Sequence, residues 1–216
     1  MKACLIHTVA TLPAVFDRLL AEQVPDTEPA HVVDESLLAD TIAHGMVPAT
    51  RRRLAAHVAA AEDAGAEAVL VTCSSLGEVA ELVRPFAGVP VYRIDTPMAV
   101  EAVTTGDRIA VLATLESTLG PTRRLLAREA GRRGRDTRIT TSLCPGAFDA
   151  QRAGDLAEHD NLVATEARRL AATADVLVLA QASMARALPA TDPYDIPVLT
   201  SPRSGVRQLE NALPAG

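Results

Sequence analysis

Short runs of Val, Ile and Leu recur along the chain between longer alanine-rich stretches whose apolar residues fall at helical spacing. A strand buried on both faces reads as a continuous apolar run, and a helix covering it shows one apolar stripe. The pattern therefore predicts an α/β chain of parallel sheets flanked by helices. Predicted strands are Ala3 to His7, His31 to Val33, Ala68 to Val71, Val89 to Ile94, Arg108 to Leu112, Arg138 to Thr141, Asp175 to Leu179 and Ile196 to Leu199. Helical patterns cover Pro13 to Gln23, Pro48 to Ala64, Ser75 to Val83, Pro97 to Thr104, Pro121 to Ala130 and Leu156 to Thr173. Pro13, Pro48, Pro97 and Pro121 each stand where a helix would begin, a place that tolerates proline because its missing N–H has no partner there.

The chain also repeats itself at low similarity. EAVLVTCSSL (67–76) aligns with DVLVLAQASM (175–184), placing Cys73 on Gln181; VPVYRI (89–94) aligns with IPVLTS (196–201); and ACLIHT (3–8) aligns with IAVLAT (109–114), placing Thr8 on Thr114. Three ordered matches at one offset of about 107 residues predict two related lobes. We expect residues 1–97 with 201–216 to form the first and 98–200 the second. Lobes facing each other through the carboxyl ends of their strands would enclose an active site to which both contribute equivalent loops.

Composition removes several function classes. With 48% hydrophobic and 22% charged residues, the 216-residue chain is neither disordered nor fibrous. Its 21 Lys and Arg against 27 Asp and Glu give a formal charge of −6. The basic residues are scattered without aromatic interleaving, so a nucleic-acid partner is not expected. Three cysteines without a CxxC motif, and no signal-peptide layout, point to a reducing cytoplasm and no disulfide framework. No apolar run approaches the roughly 20 residues that cross a bilayer. Neither glycine-rich phosphate loop occurs, and the five histidines show no ligand-like pairing with the cysteines, so no cofactor, nucleotide or metal is expected.

The candidate chemistry lies in the turns. In VTCSSLGEVA (71–80) a buried strand runs into small polar residues and then a helix. Cys73 is expected at the strand end, its thiolate favoured by helix N-terminal N–H groups and its pKa lowered from about 8.5. Ser74 and Ser75 are placed to cap that helix or to donate to an anion. The alternative is a small buried cysteine followed by a serine cap. In the other lobe, Thr114, Ser117 and Thr118 cluster where a strand meets a helix and could hold a carboxylate without a metal; capping alone accounts for one of the three. Gln181 is polar at the end of a very apolar strand and either faces the crevice or satisfies backbone groups. Ala182 and Ser183 follow it in the same turn. His7 and Thr8 end the first strand; His7 is a proton donor, an anion contact or a structural residue. Asp34, Glu35 and Ser36 read mainly as N-terminal acids and a cap, Cys4 as core, and Cys144 as part of a loop.

The VTCSS turn, VVDES (32–36), LATLEST (112–118) followed by Gly120 and Pro121, GAFDAQRAGD (146–155) and TSPRSG (200–205) together resemble the aspartate/glutamate/hydantoin racemase superfamily over nearly the whole chain. The resemblance implies a cofactor-independent, homo-oligomeric enzyme with two similar lobes, each supplying one cysteine to opposite faces of a small carboxylate. One thiolate removes the proton alpha to the carboxylate while the other thiol protonates the opposite face. By position, Cys73 is the first cysteine, Ser74 and Ser75 are carboxylate contacts, and Thr114 with Thr118 corresponds to the second lobe's anion contacts. The second cysteine is replaced: Ala180, Gln181 and Ala182 stand where members carry a Gly-Cys-Ala or Gly-Cys-Thr turn. A glutamine amide is no acid or base near neutral pH. Three readings remain open at this point. Cys73 acts alone, as in cis-trans isomerases or, less readily, decarboxylases of this fold; racemisation persists with another acid such as His7 or water; or the protein binds a small carboxylate without turnover.

Overall fold

The computed structural model describes residues 1–188 and 194–212. The chain divides into two compact units: Met1–Asp95 with the segment from Pro202, and Thr96–Ser201. Residues 189–193 and 213–216, which the sequence boundaries give to the second and first lobes, lie outside the described residues.

The first unit runs β1 (Lys2–His7), α1 (Pro13–Gln23), β2 (Glu28–Val33), α2 (Glu35–His44), α3 (Pro48–Asp63), β3 (Ala68–Val71), α4 (Gly77–Val83) and β4 (Val91–Arg93). The second runs α5 (Thr96–Thr105), β5 (Arg108–Ala113), α6 (Glu116–Arg132), β6 (Arg138–Leu143), α7 (Ala147–Arg152), α8 (Leu156–Ala171), β7 (Val176–Leu179) and β8 (Val198–Thr200); α9 (Ser201–Val206) begins at the return to the first unit. Each unit holds one four-stranded parallel sheet, ordered β2-β1-β3-β4 and β6-β5-β7-β8. The two orders are the same, as an internal repeat requires. Every predicted strand is present.

The central strands β3 and β7 read AVLV and VLVL, and all eight residues are buried. Period-2 alternation sends their side chains to both faces. In the first unit Cys4, Ile6, Val69 and Val71 meet Leu37, Leu54, Val58 and Val79 from α2, α3 and α4. In the second, Ile109, Val111, Val176 and Val178 meet Met98, Val103, Leu125 and Leu126 from α5 and α6, while Ala110, Leu112, Leu177 and Leu179 meet Val163 and Leu170 from α8 on the other face. Each large apolar side chain so buried contributes about 1.5–3 kcal/mol before chain entropy is counted. Among the described residues no helix is long and apolar enough to cross a membrane.

Pro121 departs from the expected pattern. It lies inside α6, which begins five residues earlier at Glu116. The buried stripe Thr118, Leu119, Thr122, Leu125 and Leu126 continues through the proline, and packing of that stripe outweighs one lost backbone hydrogen bond. The six-residue α7 also escaped the periodicity reading, being too short to display a helical period.

Candidate active site

In the first unit the chain leaves β1 toward β2 on one side and β3 toward β4 on the other. The carboxyl ends of β1 and β3 are therefore the topological switch point, the position at which open α/β sheets generally bind their ligands. Thr8 follows β1 there, and Thr72 and Cys73 follow β3. The Thr72 N–H donates to the Ile6 carbonyl at 3.0 Å, extending the ladder by one residue. Cys73 stays extended, and its carbonyl accepts the Leu76 N–H at 3.0 Å, closing a 3-10 turn over Ser74–Leu76 that leads into α4. Cys73 is itself the N-cap residue of this turn and makes no side-chain capping bond.

That turn surrounds the partly buried Cys73 sulfur with donors: the hydroxyls of Thr8 and Ser75 and the backbone N–H groups of Ser75 and Leu76. The Ser74 hydroxyl is buried without a hydrogen-bond partner. The expectation of a lowered thiol pKa is corrected by the balance of these effects. Burial pushes the Cys73 thiol up, and the hydrogen bonds recover only part of the shift, so the resting group is a protonated thiol. Alkylation of Cys73 should accordingly be slow near neutral pH and climb with pH beyond the range of a free thiol. Thr8→Val, which removes one donor to the thiolate, should slow alkylation at fixed pH by about 10- to 150-fold, since a hydrogen bond to a charged group is worth about 1.5–3 kcal/mol. An unchanged rate would show that Thr8 does not support the thiolate.

His7 is fully buried, with both ring nitrogens engaged: Nε2 with His31 Nδ1 at 2.8 Å and Nδ1 with Thr72 Oγ1 at 2.9 Å. It is a core residue under the switch point, with no nitrogen left for a substrate. Burial, and then the neighbouring His31, hold its pKa down to about 3 against the ordinary 6.5, with Asp17 opposing. It therefore cannot be the second acid near neutral pH. Between those two pH values the unfolded chain binds a proton that the folded chain refuses, so stability falls as pH falls, by up to about 1.4 kcal/mol per pH unit. Urea midpoints measured from about pH 7 down to pH 4 should drop steadily in the native protein and more shallowly in His7→Gln.

The floor beside the turn is charged. Arg93, at the end of β4, is buried and grips the buried Asp95 with two hydrogen bonds of 2.7 and 2.9 Å, while a third reaches Glu81 on α4 at 3.2 Å. Gly77, the first residue of α4, lies flat against this guanidinium; a Cβ there would stand 2.5 Å from Cζ. Sequence reading missed the cluster, although an arginine closing an apolar strand two residues before an aspartate was its visible trace. Asp34 caps α2 through the Ser36 N–H at 3.0 Å and accepts from His57 at 2.8 Å. Burial pushes its carboxyl up, but these bonds and Arg53 bring it below the ordinary value.

The second unit repeats the geometry. Thr114 follows β5 and Gln181 follows β7; the Gln181 carbonyl accepts the Met184 N–H at 3.0 Å and starts a 3-10 turn over Ala182–Ala187, as Cys73 does in its own unit. Gln181 Oε1 accepts both the Thr114 N–H, at 2.6 Å, and the Thr114 hydroxyl, at 3.0 Å. Thus Thr8 binds Cys73, and Thr114 binds Gln181. Gln181 does satisfy backbone, the plainer of the two roles open to it. Ala182 is buried, Ser183 is partly buried, and Thr118 is fully buried in the first turn of α6 beside Ser117. Cys4 lies in the β1 core, and Cys144 lies in the loop just after β6, as expected, with its side chain packed into the core. Among the described residues no group of three or more His, Cys, Asp or Glu could hold a metal ion.

The family model described as Asp/Glu/Hydantoin racemase matches residues 7–209. No curated protein matches the sequence. Among solved structures, glutamate racemase from Aquifex pyrophilus is similar at 18% identity and a TM-score of 0.71, covering 99% of this chain and 84% of its own. Picrophilus torridus aspartate racemase is similar at 13% identity and a TM-score of 0.72, covering 98% and 94%. A mutant of arylmalonate decarboxylase is similar at 17% identity and a TM-score of 0.62, covering 98% and 93%. At such identities these structures establish the shared fold, while the family match spans nearly the whole sequence: the chain belongs to the Asp/Glu/hydantoin racemase family.

Proposed function

We propose that the protein is a cofactor-independent isomerase that acts on a small carboxylate through one thiol, Cys73. The observation that carries this reading is the difference between two otherwise matching turns. At the switch point of the first unit a sulfur gathers four hydrogen-bond donors; at the second unit's switch point the matching residue is an amide already held by Thr114. A glutamine has no proton to exchange near neutral pH, so only one of the two positions can act as acid or base.

The reaction must then run from one group. In the first route the thiolate takes the proton alpha to the carboxylate, the C–H electron pair moves into the carboxylate as an enolate, the enolate turns its other face to the sulfur, and the thiol returns the proton there; return to the original face gives exchange alone. In the second, the sulfur bonds to a carbon of a double bond conjugated with the carboxylate. The bond between the two carbons becomes single and rotates, and the electron pair returns to expel the thiolate. The raised Cys73 pKa makes the thiolate, once formed, both a stronger base and a stronger nucleophile, so it is compatible with either route. Ser74, with its unpartnered buried hydroxyl, and Ser75 are the proposed carboxylate contacts. In the second unit Ser117 and Thr118 are the proposed anion contacts, Thr114 having given its N–H and hydroxyl to Gln181.

Incubating the protein in D2O with short dicarboxylates, amino acids and hydroxy acids separates the routes. Deuterium appearing on the alpha carbon indicates proton abstraction, and cis-trans conversion without deuterium indicates addition and elimination. If no compound exchanges or isomerises, and Cys73→Ala binds the same compound as tightly as the native protein, the isomerase reading is overturned in favour of carboxylate binding without turnover.

A further inference from the structure

Beneath the Cys73 turn runs a continuous hydrogen-bonded chain that the proposed chemistry does not use. Half-exposed Asp17 on α1 meets His31 Nε2 at 2.9 Å; His31 Nδ1 on β2 meets His7 Nε2 on β1 at 2.8 Å; His7 Nδ1 meets Thr72 Oγ1 at 2.9 Å. The Thr72 hydroxyl has a second partner, the Ile6 carbonyl, at 3.0 Å. A hydroxyl has one proton to donate, so it can serve only one of these two acceptors at a time.

Donor and acceptor counting gives the chain two complete arrangements. In the first, Thr72 donates to His7 Nδ1, His7 Nε2–H donates to His31 Nδ1, and His31 Nε2–H donates to the Asp17 carboxylate. In the second, His31 carries protons on both nitrogens and donates to Asp17 and to His7 Nε2. His7 then carries its proton on Nδ1 and donates to Thr72, whose hydroxyl turns to Ile6. The arrangements differ by one proton taken from water. Passing from the first to the second, the His7 Nε2 proton moves to His31, the Thr72 hydroxyl proton moves to His7 Nδ1, and the Thr72 oxygen takes up the new proton. The positive charge comes to rest on His31, against the Asp17 carboxylate. His7 changes tautomer without becoming charged.

We propose that Asp17, His31, His7 and Thr72 form a proton relay with two hydrogen-bond orders, in which the protonation of His31 sets where the Thr72 hydroxyl points, one residue before Cys73. The groups facing the two imidazoles fit this role. Asp17 comes from α1, each histidine faces the other across β1 and β2 with ring centroids 5.1 Å apart, β3 supplies Thr72, and Phe16 of α1 lies 5.3 Å from the His7 ring. Asp17, His31 and His7 are thereby positioning residues for the Cys73 turn, whatever reaction that thiol performs.

Ring-nitrogen NMR of uniformly 15N-labelled protein, followed as the pH is lowered, tests the relay without any substrate. We expect His7 to change from the Nε2–H to the Nδ1–H tautomer with the same midpoint at which His31 becomes doubly protonated. Asp17→Asn should move both midpoints together to lower pH. Thr72→Ser should keep the coupled change and Thr72→Val should lose it, the serine variant controlling for folding. A single His7 tautomer throughout the His31 titration, separate midpoints, or an unaltered tautomer change in Thr72→Val would overturn the relay. Each of these results leaves the isomerase reading to its own test.

Discussion

Cys73→Ala should reduce turnover of any substrate of this protein by about 10²–10⁴-fold, the usual contribution of a positioned acid-base group, while leaving the fold intact. The two halves of that statement rest on different observations. The thiol is the group at the β1–β3 switch point that can both accept and return a proton, and its counterpart Gln181 is tied to Thr114 and cannot replace it. The structural cost is small because Cys73 is partly buried at the margin of the first unit's core, and the backbone that shapes its turn is held by the Thr72 N–H to Ile6 and Leu76 N–H to Cys73 bonds, which alanine retains. Cys73→Ser should be nearly as inactive, since a hydroxyl in the same ring of donors remains a far weaker acid than a thiol. The measurements are alpha-carbon deuterium uptake and thermal unfolding of the same samples. Full activity in Cys73→Ala with native unfolding would remove the thiol from the mechanism.

The sequence reading and the structure meet most closely where the chemistry of burial leaves little choice. Strands β3 and β7 had to be apolar on both faces, so their eight residues announced a covered parallel sheet, and the lining-up of Cys73 with Gln181 followed from two copies of one strand-turn unit. Position alone then put both residues at switch points. The thiol's acidity was not legible. The helix-terminus argument named the backbone N–H donors but not the Thr8 hydroxyl, and could not weigh them against desolvation, which depends on how closely the surrounding chain packs around sulfur. His7 shows the same limit: its place at a strand end was visible, while its burial and its two partners on β2 and β3 depend on tertiary contacts. The start of α6 was misplaced because Pro121 marks a helix boundary in local terms, whereas the stripe around Leu125 decides it through packing.

Arg93→Met should destabilise the protein by about 3–5 kcal/mol, the cost of breaking a buried ion pair from one side. The side chains of Arg93 and Asp95 are 1% and 0% exposed, and both Asp95 oxygens are satisfied by this one guanidinium, so its removal leaves a carboxylate stranded in the core. Glu81 keeps 23% of its exposure and can turn to solvent, so it adds little to the loss. If the penalty comes from the abandoned charge, the double variant Arg93→Met/Asp95→Leu should recover most of it, whereas a penalty from lost packing would persist. Gly77 supplies an independent reading of the same contact. In the native background Gly77→Ala drives a methyl into the guanidinium at 2.5 Å and should be destabilising; with Arg93 replaced by the narrower and more flexible methionine, the same alanine should be tolerated or favourable, because helix α4 gains from losing its N-terminal glycine. Chemical denaturation of the four Gly77 and Arg93 combinations would give that change of sign directly. Additive effects would mean that the guanidinium yields freely to the methyl and does not hold the start of α4 in place below the Cys73 turn.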